Sequence, residues 1–119
     1  IEKNVLELIK TYGFENNCVI SSFNPFIIRR VKKNNPKILT AFLWSKNDPQ
    51  FIINTPLWVW ICRPDGFHAD IDCLDEQLLN WVRRKNMSVL TFTIMTQKQL
   101  IKAQLLGVDG VFMDDPYLN

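Results

Sequence analysis

Gly107-Val108-Asp109-Gly110-Val111-Phe112-Met113-Asp114-Asp115-Pro116 is the stretch on which the fold turns. A glycine follows Leu105-Leu106, where a left-handed residue just past a helix is cheap only without a side chain. A short apolar run comes next, then two carboxylates and a proline. A buried parallel strand looks like this when it emerges from a helix and carries polar groups at its C-terminal end. Gly110, inside or beside that strand, implies close backbone approach. Asp114 and Asp115 have two readings: ligands for a metal or a substrate hydroxyl, or caps of the turn before Pro116.

Working outward, the same unit recurs. Thr96 and Gln99 form a capping box for a helix through Leu100, Ile101, Ala103, Leu105 and Leu106. Val89-Leu90-Thr91-Phe92-Thr93-Ile94 is a strand before it. An earlier helix carries Leu74, Leu78, Leu79, Trp81 and Val82 and ends near Arg83-Arg84-Lys85-Asn86. Ile38 to Trp44 is a nearly continuous apolar strand, as expected when both faces are covered. Cys18 to Phe23 is another. Between these two, Asn24 and Pro25 open a helix and Asn35-Pro36 stops it. Residues 2–12 form an amphipathic helix with Val5, Leu6, Leu8, Ile9 and Tyr12 on one face.

Residues 45–72 are the least regular stretch, punctuated by Pro49, Pro56 and Pro64. They read as an insertion within a single domain over 1–119. Leu57-Trp58-Val59-Trp60-Ile61 inside it reads as a short strand or lid packed on the core, or as aromatics lining a mouth. His68, Asp70, Asp72 and Asp75 invite a metal reading. Their spacing lacks the glycine and distal glutamate of a calcium loop, and His68 with Cys62 and Cys73 matches no zinc pattern. Helix capping accounts for such acids.

Composition narrows the class. The chain has 119 residues, 47% of them apolar, and a formal net charge of +2. It is long enough for one real core, and the total charge does not call for a nucleic acid partner. Three cysteines, an odd number with no CxxC spacing, argue against a disulfide scaffold and for a reducing compartment. No apolar run reaches the roughly 18 residues a membrane span needs. The chain begins with Ile rather than Met, and a preceding part is expected. Arg29, Arg30, Lys32 and Lys33 read as a solvated helix end rather than a phosphate site.

Four strands alternating with four helices are expected, joined by right-handed crossovers. Two architectures fit: a small doubly wound sheet, or the C-terminal half of a TIM (β/α)8 barrel, whose whole needs about 250 residues. The helical start and near-half length favour the barrel. A lone half-barrel exposes edges and an apolar interior face. It needs an N-terminal half or a second copy.

Three segments carry a resemblance. Val19-Ile20-Ser21-Ser22-Phe23, then Val89 to Thr96, then Gly107 to Pro116 are similar to the C-terminal half of the glycerophosphodiester phosphodiesterases. That family usually has tryptophan where Phe92 stands, asparagine where Met95 stands and often threonine where Met113 stands. The resemblance implies a barrel hydrolase that uses a divalent cation, magnesium or calcium, and two histidines. It would split a glycerophosphodiester into glycerol 3-phosphate and an alcohol. Those histidines and metal ligands belong to motifs of the other half, absent here. No catalytic or metal-ligating residue is therefore expected in this chain. The expected contributions are Phe23, Trp44 and Phe92 as apolar walls at the barrel mouth, Ser22 as a hydrogen-bonding group and Asp114 orienting the last loop. Core packing is the competing reading for the aromatics. A non-catalytic half-barrel for binding or assembly is the competing reading for the whole. The cytoplasm is the expected location.

Overall fold

A computed structural model describes residues 2–46 and 59–118. The elements run α1 (Glu2–Thr11), β1 (Val19–Ser22), α2 (Pro25–Asn34), β2 (Leu39–Trp44), α3 (Val59–Cys62), β3 (Gly66–Asp70), α4 (Glu76–Arg84), β4 (Ser88–Ile94), α5 (Gln97–Leu106) and β5 (Gly110–Met113). Expected helix signals appear where the residues put them. Asn24 caps α2 through the Phe26 amide, with Pro25 in the first turn. Asp75 caps α4 by accepting from the Leu78 amide. Thr96 and Gln99 close a reciprocal capping box on α5, and Gly107 ends that helix in the left-handed region at φ 71°.

The strands pair in parallel in the order β1-β2-β3-β4-β5. This order decides between the two architectures. A doubly wound sheet reverses direction at a switch point. Here every crossover advances one strand the same way, so right-handed connections put all the helices on one face. The sheet also curls. Phe23, just past β1, meets Phe92 of β4 edge-on at 6.1 Å between ring centroids. Three strand spacings would separate them by about 14 Å in a flat sheet. The other face is therefore concave, and the molecule is the C-terminal half of a TIM barrel, with five parallel strands.

Strand alternation sorts the side chains. Phe42, Trp44, Phe67, Ala69 and Val89 face outward and pack with Ile28, Val59, Cys62, Leu79 and Val82 from the helices. Ile71 and Ile94 pack with Ala103 of α5 beside Val111 and Met113. Ile20, Thr40 and Thr91 have the same parity and also face the helices, while the alternate positions, among them Leu39, Ala41, His68, Leu90 and Phe112, line the concave face. A Cβ on Gly66 would lie 3.7 Å from Ala41 Cβ and 3.6 Å from His68 Nε2. One on Gly110 would meet Leu90 Cδ2 at 2.7 Å, which is the close approach expected there.

Two readings of the sequence change. The stretch read as an irregular insertion holds a regular strand, β3, so the described residues carry five strands. Gly66, His68 and Asp70 alternate with Phe67 and Ala69, and those polar and small residues mask the apolar period. Val59 to Cys62 forms one helical turn, with Val59 and Cys62 buried and Trp60 and Ile61 outward. It is neither a strand nor a row of aromatics lining a mouth. Leu57 and Trp58 lie outside the described residues.

Candidate functional site at the C-terminal strand ends

Parallel βα units bring the C-terminal strand ends together, and ligand sites form there. β1 delivers Ser22 and Phe23, β2 delivers Trp44 and Ser45, β3 delivers Asp70, β4 delivers Phe92 and β5 leads to Asp114.

The structure brings Phe23 and Phe92 together as a T-shaped pair, both half-buried. They form an apolar wall on the concave side. Between Thr91 and Ile94 the β4–β5 register shifts. That shift lets Ile94 join Val89 and Thr91 on the helix side while Phe92 stays inward.

Trp44 departs from expectation. It is only 3% exposed and stacks at 6.0 Å with Phe67 in the layer between sheet and helices. Its parity is that of Phe42, so it faces the helices, not the mouth. Ser22 is half-buried, and its Oγ accepts from the Asn24 amide at 3.0 Å, shaping the turn into α2. Asp114 is exposed beyond β5, next to Asp115, whose carboxylate accepts from the Tyr117 amide.

Two further groups stand on this rim, Asp70 and His68, which the sequence offered only as members of a metal group or as helix caps. Buried Ser45 donates to Asp70 Oδ2 at 2.8 Å, and the Asp72 amide donates to Asp70 Oδ1 at 3.0 Å. Both carboxylate oxygens are thus held by neutral donors, fixing a negative charge at the mouth. Asp70's place at the end of a strand was the available signal, hidden once β3 itself was overlooked. The second is His68, 5% exposed on the concave face, with Phe112 at 5.3 Å. Burial lowers its pKa below the ordinary histidine value, which keeps the imidazole neutral. Its Nδ1 has no hydrogen-bond partner among the described residues.

The donor set does not make a metal cage by itself. Among the described residues no three His, Cys, Asp or Glu side chains converge. Cys62 is no nucleophile, since burial pushes its thiol up to about 12. What this rim offers is an apolar wall, fixed carboxylates and a neutral imidazole below them.

Below the rim the concave face is apolar and open. Val19 is 52% exposed, Leu39 49% and Phe112 44%. On α1, Val5, Leu8 and Tyr12 are exposed as well.

Comparison with known proteins completes the picture. The model of the glycerophosphoryl diester phosphodiesterase family matches residues 1–118. The glycerophosphodiester phosphodiesterase of Caldanaerobacter subterraneus subsp. tengcongensis is 27% identical over 118 residues, 98% of this chain and 46% of that protein. The solved glycerophosphodiester phosphodiesterase of Thermotoga maritima superposes with a TM-score of 0.72 at 22% identity, covering 95% of this chain and 49% of that one. An Oleispira antarctica phosphodiesterase solved with the product sn-glycerol-3-phosphate gives a TM-score of 0.65 at 25% identity, over 81% of this chain and 37% of that one. The chain spans just under half the length of the curated relatives it matches.

Proposed function

The chain belongs to the glycerophosphoryl diester phosphodiesterase family, and from that premise we propose that it supplies the non-catalytic half of a phosphoric diester hydrolase. The completed barrel releases glycerol 3-phosphate and an alcohol from a glycerophosphodiester. The cation on which the family generally depends, magnesium or calcium, and the acid and base histidines sit on the complementary half. The bond-breaking step is not routed through residues of this chain. The cytoplasm, in keeping with three unpaired cysteines, is where it works.

The observation that carries this reading is the open concave face. An apolar surface with Val19, Leu39 and Phe112 half exposed, bounded by edges at β1 and β5 that no strand pairs among the described residues, is the interior of a barrel without its other staves. The half-barrel contributes walls and shape. Phe23 and Phe92 present aromatic carbon to the glycerol or alcohol moiety, and Asp114 orients the loop beyond β5. Trp44 is not among these, since it supports the wall from behind through Phe67. Ser22, the register partner of Phe42, is likewise on the helix side and shapes the turn into α2.

The test is hydrolysis of glycerophosphocholine by the assembled barrel, with glycerol 3-phosphate measured directly. Chelator-sensitive release is expected. Phe92→Ala should raise KM severalfold with kcat little changed, because a wall binds ground and transition states alike. An unchanged KM removes Phe92 from the site, and absence of glycerol 3-phosphate overturns the activity. The competing reading, a half-barrel that only assembles or binds, predicts a completed barrel with no turnover at all.

A further inference from the structure

The net charge of +2 conceals a strong separation along the barrel axis. The C-terminal strand ends carry Asp70, Asp72, Asp75, Glu76, Asp114 and Asp115, against Lys46 and Lys98. The opposite end, formed by the loops entering the strands, carries Lys10, Lys33, Lys37, Arg63, Arg84 and Lys85, all exposed. The carboxylates at that end are already engaged. Asp65 pairs with Lys32 and Asp109 with Arg83. Glu15 accepts from Asn35 Nδ2 at 2.9 Å. No ion pair occupies those six cations among the described residues. Helix dipoles account for Lys10, Lys33 and Arg84, which close α1, α2 and α4. They do not account for Lys37 and Arg63, which stand in loops.

Exposed apolar residues interrupt this basic surface. Trp60 is 61% exposed and Ile61 39%, both on the one-turn helix α3. Lys85 Nζ lies 3.9 Å from the centre of the Trp60 ring and 5.8 Å from that of Trp81. The cation covers one face of the Trp60 indole, so that face is closed to a stacking base, and the aliphatic Ile61 offers a base nothing. Tryptophan beside an aliphatic residue, with Arg63 and Lys85 at its side and further exposed cations on the same end, matches the boundary of an anionic bilayer. There the indole sits at headgroup level and Lys and Arg meet the surface charge.

We propose that this end of the half-barrel docks on an anionic lipid surface, with Trp60 and Ile61 entering the headgroup layer and Lys37, Arg63, Arg84 and Lys85 around them. The attachment is peripheral, since no helix among the described residues is long and apolar enough to cross a membrane. The cytoplasmic leaflet carries the required charge. Docked this way, the strand C-terminal ends face water.

The experiment is sedimentation of the assembled barrel with vesicles of phosphatidylcholine alone, or with one third phosphatidylserine. Binding to the anionic vesicles only is expected, weakening as salt rises. The triple variant Lys37→Gln, Arg63→Gln, Arg84→Gln should lose on the order of a hundredfold in partitioning, and Trp60→Ala severalfold. All these positions are exposed, so circular dichroism should show unchanged folds. Equal binding to neutral vesicles would assign the effect to exposed concave-face apolar surface and overturn the proposal. So would binding that the triple variant leaves intact, or binding to a polyanion such as RNA without binding to vesicles. Vesicle binding is read without turnover, so its failure leaves the hydrolase reading standing and failure of the hydrolase leaves docking standing.

Discussion

Leu39→Asp is expected to leave the half-barrel folded by itself and to abolish its assembly with the complementary half. Leu39 opens β2 on the concave side, paired in register with Val19, and half of it meets solvent. A carboxylate there is solvated in the isolated chain, and a surface change of that kind costs within about 0.5–1 kcal/mol. In a closed barrel the same position faces the packed interior. An unpaired buried charge costs about 3–5 kcal/mol, or two to four orders of magnitude in the association constant. Leu39→Ile, which keeps the volume, should assemble normally. Isothermal titration of each variant with the complementary half reads the difference. Assembly of Leu39→Asp with wild-type affinity would place that face in solvent and refute the barrel interior.

Phe67→Ala should have the largest effect on folding. Phe67 is fully buried in β3, facing the helices. Its ring meets Phe42 edge-on at 6.1 Å and lies 6.0 Å from Trp44. Truncating a buried phenylalanine costs about 3–5 kcal/mol through lost transfer energy and the cavity left behind. Domains of this kind have about 5–15 kcal/mol in total, so a fall of roughly 10–20 °C in Tm is expected. Thermal unfolding followed by far-UV circular dichroism checks it. A loss below about 1 kcal/mol would mean that the side chain does not occupy the core between sheet and helices. The two variants probe opposite faces of the sheet. One fails only on assembly and the other fails at once.

Much of this fold is legible without coordinates because local chemistry and global fold agree. Asn24-Pro25, Asp75, the Thr96–Gln99 box and Gly107 each mark a helix end through side-chain or backbone bonding that acts over a few residues. Val89 to Ile94 and Ile38 to Trp44 announce strands by apolar content. β3 is illegible for a physical reason. Its inward positions hold Gly66, His68 and Asp70, so the apolar pattern is interrupted at every second residue. The short α3 is hidden because four residues hold too little of a helical period to show.

The site is less legible than the fold, since parity decides it and sequence gives parity only once register is known. Phe23 and Phe92 lie three strands apart, and their contact depends on curl. Trp44 resembles them in kind but has the parity of Phe42, so it ends on the other side. Asp70 depends on Ser45, 25 residues earlier in the chain, for its fixed position.

Everything above depends on this chain being one half of a closed barrel. Analytical ultracentrifugation, with and without a co-expressed complementary half, tests it most directly, with binding of an apolar dye read on the same samples. Alone, the chain is expected to bind the dye and to self-associate through its concave face. With the complement it should become a one-to-one assembly that binds no dye. A chain that sediments alone as a monodisperse monomer without binding the dye, and that ignores the complement, would contradict it.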